Sequence, residues 1–73
     1  MLIRSQGKTV LIDTNVIYVE NQTNIKAIYN SNGDVFKIGS YKDEKRCIEV
    51  LDLIQQVFGN SGEYTQIYQM PNE

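Results

Sequence analysis

The sequence predicts an α+β fold: an antiparallel β-meander of four to five short strands with one amphipathic helix packed on one face, forming a single small domain over residues 1–73. Three observations carry this. Apolar residues at Cys47, Val50, Leu51, Ile54, Val57 and Phe58 recur with the spacing that lines one side of an α-helix. The chain before them is broken into short runs rich in β-branched and aromatic residues, which suit strands. Turn-forming residues separate those runs, among them Asn32-Gly33, a strong hairpin signal.

The elements follow in order. Leu2-Ile3 and Thr9-Val10-Leu11-Ile12 flank Gln6-Gly7-Lys8, so they form a hairpin in which Gly7 is expected to take the positive φ. Asp13-Thr14-Asn15 interrupts the second run as a corner, a bulge or a full break. Val16 to Glu20 is a strand, and Asn21 to Asn24 is a polar turn. Ile25 to Tyr29 alternates, placing Ile25, Ala27 and Tyr29 on one face and Lys26 on the other. After the turn at Asn30 to Asp34, Val35 to Ile38 resumes the sheet, with Phe36 and Ile38 inward.

Asp43 caps the helix by accepting a backbone N–H, and Gly59-Asn60 ends it. Gly59 to Gly62 is read as a loop. Glu63 to Met70 has strand-like alternation, with Tyr64, Gln66 and Tyr68 on one face, and can pair within the chain or add to a neighbour's sheet edge. Residues 71–73 are expected to fray.

Composition narrows the function. A chain of 73 residues buries only about 60% of the surface its unfolded form exposes, so its core is marginal. A single cysteine rules out an internal disulfide, and with no histidine the usual zinc site lacks ligands, so no metal or cofactor is expected. Oligomerisation is the remaining support for so small a core. Seven basic residues against nine acidic ones argue against nonspecific nucleic-acid binding. No apolar run approaches the roughly 20 residues that span a bilayer, and Met1–Gln6 is too polar for a signal peptide. A cytoplasmic setting away from membranes is the expectation.

Candidate chemistry is sparse. The five glycines are scattered at predicted turns and build no phosphate loop. Asn30 to Asp34 offers alternate oxygen ligands but lacks the distal glutamate of a calcium loop. Glu49 and Asp52 share a polar helix face with Lys45 and Gln56, so they are solvated rather than paired in a cleft. Cys47 lies mid-stripe and is a packing residue. Nothing has the pattern of an active site, and the chain is not read as an enzyme.

Two features point to partners instead. Tyr18, Tyr29, Tyr41, Tyr64 and Tyr68 are many for this length, and tyrosine is frequent at interfaces. On a wheel turning about 100° per residue, Ile48 and Leu53 fall on the flanks of the core stripe, where they either extend the core under loops or meet another copy. The candidate interface is Ile48, Leu53, Tyr64, Ile67 and Tyr68. An alternative is a nucleic-acid-binding regulator using Arg4, Lys8, Lys26 and Lys37 on the sheet, for which a salt-sensitive gel shift is the test and no shift at low ionic strength is the refutation.

The opening Met1-Leu2-Ile3-Arg4-Ser5-Gln6, the run from Ile38 to Tyr41 leading into Asp43 to Ile54, and the closing Tyr68-Gln69-Met70-Pro71 together resemble small proteins of Gram-positive bacteria and their prophages. That group has no established activity, so the resemblance implies a cytoplasmic setting and supplies no site residues. The expected function is a noncatalytic protein-interaction or structural module that self-associates, with an unidentified protein partner also possible.

Overall fold

A computed structural model describes residues 1–61 and 66–73, the side chains of Asn60 and Ser61 excepted. The order is β1 (Leu2–Arg4), β2 (Leu11–Asp13), β3 (Val16–Glu20), β4 (Asn24–Ile28), β5 (Val35–Ser40), α1 (Glu44–Ser61) and β6 (Ile67–Gln69). This is an α+β fold with a meander and one helix, as the sequence predicts. The strands divide between two sheets, ordered β2-β1-β6 and β3-β4-β5. The meander proper therefore holds three strands rather than four or five.

Thr14 explains the division. Its side chain is buried, with Oγ1 donating to the Ile28 carbonyl at 2.6 Å and accepting the Val16 N–H at 3.2 Å. Its own N–H donates to the Met1 carbonyl at 2.9 Å. These bonds end β2 and send the chain into the other sheet, so Asp13–Asn15 is a break and not a bulge.

The β1–β2 hairpin forms, but its left-handed residue is Lys8 (φ 68°) and not Gly7. The Lys8 N–H donates to the Ser5 carbonyl at 2.9 Å, and that bond holds the less favourable backbone. Gly33 does take the positive φ its turn requires, at 82°. A bulge shifts the β4–β5 register so that Ile38 and Gly39 both oppose Ile25. Both are buried, whereas Phe36, although opposite fully buried Ala27, stays 38% exposed and does not enter the core.

One core joins everything. Ile3 and Ile12 enter it from the first sheet, Ile25, Ala27 and Ile38 from the meander, and Cys47, Val50 and Ile54 from α1. The helix thus covers a core shared by two sheets rather than one face of a single sheet. It also runs through Gly59 to Ser61 instead of stopping at Gly59-Asn60. Gly59 keeps ordinary helical backbone, and Gln55 Cγ lies 4.0 Å from the position of its missing Cβ.

β6 pairs within the chain, parallel to β1, with Leu2 opposite Ile67, Ile3 opposite Tyr68 and Arg4 opposite Gln69. The residues after it are not frayed. Met70 is fully buried, and the carbonyls of Pro71, Asn72 and Glu73 each accept a side-chain hydrogen bond.

Candidate interaction surface

Asp43 sets the helix by accepting the Arg46 N–H at 2.8 Å on Oδ1. With that start fixed, Cys47, Val50 and Ile54 are buried, Leu51 and Phe58 pack partly against them, and Lys45, Glu49, Asp52 and Gln56 are exposed. Burial holds the Cys47 thiol above its usual pKa, reinforced by the charges of Asp43 and Glu44, so it stays protonated and unreactive.

The five candidate interface residues do not form one patch. Ile48 is 47% exposed and Leu53 39%, but about 140° of helix separates them, so they occupy opposite flanks. Ile48 shares its flank with Leu51 and Gln55, which line a recess of about 420 Å³ together with Met1, Ile17, Ile54, Phe58 and Gly59. Leu53 shares its flank with Arg46, Glu49 and Val57, where Arg46 Nη1 stands 3.4 Å from the Glu49 carboxylate.

Ile67 sits elsewhere. Its register neighbours are Leu2 and, across β1, Asp13, on the side of the first sheet that faces away from the core. Tyr68 is paired with buried Ile3 and points inward against the core, and burial raises its phenol pKa. Tyr64 lies outside the described residues.

The basic candidates are also split. Lys26 and Lys37 are register partners on the outer face of the meander, beside Tyr18. Arg4 and Lys8 belong to β1 and its hairpin turn, in the other sheet. Lys26 is already engaged, 2.8 Å from the Glu20 carboxylate, and that hydrogen bond raises its pKa.

One constellation has no counterpart in the sequence reading. Gln6 lies at the β1–β2 turn, Tyr41 between β5 and α1, and Arg46 on α1, and all three converge on residues 71–73. The Tyr41 hydroxyl donates to the Pro71 carbonyl at 2.8 Å, and Gln6 Nε2 donates to that of Asn72 at 2.8 Å. Arg46 donates twice to the Glu73 carbonyl, from Nη2 at 2.6 Å and Nε at 3.0 Å.

Gln6 also plays the part of a strand neighbour. Its amide accepts from the Ser40 N–H at 2.8 Å and donates to the Ser40 carbonyl at 3.0 Å, while its backbone N–H donates to the Ile38 carbonyl at 2.8 Å. Burial pushes the Tyr41 phenol up to about 12, with Tyr68 adding to the shift and Arg46, 5.9 Å over its ring, opposing it. No periodicity or motif marks these three residues, because their partners are main-chain atoms far away in sequence.

Among the described residues, no group of three or more His, Cys, Asp or Glu side chains is placed to hold a metal ion. No helix among them is long and apolar enough to cross a membrane. Comparison with protein-family models, with curated proteins and with solved structures finds no match to this chain.

Proposed function

We propose that this chain is a noncatalytic interaction module, in a cytoplasmic setting, that self-associates through the Ile48 flank of α1. The observation that carries the reading is that half-exposed Ile48 stands one helical turn from Leu51, which lines an apolar recess with Met1, Ile17 and Phe58. An exposed aliphatic side chain beside an open apolar recess gives two copies something to bury from each other, at about 25 cal/mol per Å² of apolar surface removed from water. Charged side chains border both flanks, Glu44 and Asp52 beside Ile48 and Arg46 and Glu49 beside Leu53, so the nearby recess rather than charge favours Ile48.

Two substitutions separate the flanks. Kept native at micromolar concentration, Ile48→Asp should have the mass of a single chain by light scattering after size exclusion, whereas Leu53→Asp should retain the assembly. An Ile48→Asp mass equal to that of the wild-type assembly refutes the assignment. Since both side chains border solvent, the far-UV spectrum should persist in both variants.

A further inference from the structure

The geometry points to the Gln6–Tyr41–Arg46 clamp as a binding site for an extended peptide segment, which at high concentration takes residues 66–73 of a second copy by reciprocal exchange in place of the chain's own. Every side-chain bond made to residues 71–73 by Gln6, Tyr41 and Arg46 ends on a main-chain oxygen. A clamp that reads backbone cannot distinguish the segment of its own chain from an identical segment of another.

The segment is also placed to leave. β6 is three residues long and lies at the edge of its sheet, in the order β2-β1-β6, so its departure leaves the β1–β2 pair intact. Its parallel pairing with β1 depends on no hairpin turn. What departure opens is specific. Met70 is fully buried, with Cε 3.2 Å from the position a Cβ would take on Gly39, beside the Tyr41 ring.

An empty slot there would leave the core short of one methionine side chain, and the Tyr41 hydroxyl, the Gln6 amide and the Arg46 guanidinium short of acceptors. The second copy carries the matching Met70 in the matching extended frame, so it replaces each lost contact with the same one. This contact is separate from the Ile48 flank, because none of its residues lies on that flank.

The test uses full-length chain. Isotope-labelled and unlabelled Ile48→Asp protein are mixed in denaturant with a reductant that keeps Cys47 as the thiol, then refolded together at high concentration. A fraction twice the mass of one chain should appear, with isotope-filtered cross-peaks from the Tyr41 ring of one copy to Met70 and Pro71 of the other. The same mixture made with the wild-type chain should show the same cross-peaks. Their absence from the double-mass fraction, or the absence of any such fraction after concentrated refolding, overturns the exchange. Neither result bears on the Ile48 flank, which is read from native protein at micromolar concentration.

Discussion

The β3-β4-β5 sheet joins chain neighbours through short turns, whereas the β2-β1-β6 sheet lays Leu2 beside Ile67 across the full length of the helix. The first is specified locally. Asn21 and Gln22 adopt φ of 53° and 68°, Gly33 adopts 82°, and those turns fix the register of the strands they join. The second has one local hairpin and one partner, β6, that follows α1 in the chain. Gln69 Nε2, which donates to the Ser5 carbonyl at 3.0 Å, and the Gln6 clamp hold that partner in place. Closing a long loop costs entropy before any contact offsets it, so β6 is the strand least able to form by itself.

Whether the two sheets are also separate in stability is decided by their common core. Ile3 in β1 and Ile25 in β4 are both fully buried in the same cluster. Ile3→Ala and Ile25→Ala should each cost about 2–5 kcal/mol. Each should lower the denaturation midpoint of the whole chain in one transition, reported alike by circular dichroism and tyrosine fluorescence. Two resolved transitions in either variant would show that the sheets unfold independently.

Gly39 is where the sheets meet, and it distinguishes them more finely. A Cβ there would lie 2.8 Å from Tyr41 Cε2 and 3.2 Å from Met70 Cε. The Tyr41 ring is held by its bond to Pro71 and cannot swing freely. Gly39→Val should therefore cost about 1–3 kcal/mol. Hydrogen exchange should quicken first at the Met70 N–H, which donates to the Arg4 carbonyl, and last at the β3–β4 pairs. Equal quickening throughout would remove the distinction between the sheets.

Tyr41→Phe should have a smaller effect at neutral pH, about 1 kcal/mol for the lost bond to Pro71. Its larger effect is on the alkaline limb. The folded phenol ionises near 12 against 10.0 in the unfolded chain, so the unfolded state loses its proton first as pH rises. The stability held by neutral Tyr41 is complete below about 10 and declines from there towards 12. The phenylalanine variant should show a flatter decline over that window in urea midpoints, and an unchanged decline would remove Tyr41 from the account.

How much of this was legible in the sequence follows the same division. The inward set Cys47, Val50 and Ile54, the Asp43 cap and the Asn-Gly turn were readable because their partners lie within a few residues. Assigning the left-handed residue to Gly7 failed because the Lys8–Ser5 bond outweighs backbone preference. The corner at Thr14, the parallel β6 and the ordered residues 71–73 were hidden for another reason. Their bonds run to Ile28, β1, Gln6, Tyr41 and Arg46, and no periodicity records a partner from 14 residues away, as with Thr14 and Ile28, to 66, as with Gln6 and Asn72. Of the interface candidates, the exposure of Ile48 and Leu53 could be read from helical spacing. Their separation from Ile67 required the fold.

Self-association is the central claim, and the mass of the wild-type chain in solution tests it most directly. Light scattering after size exclusion, from micromolar to millimolar concentration, should give a mass above 8.4 kDa that rises towards an integral multiple of it. A mass of 8.4 kDa throughout that range would contradict it.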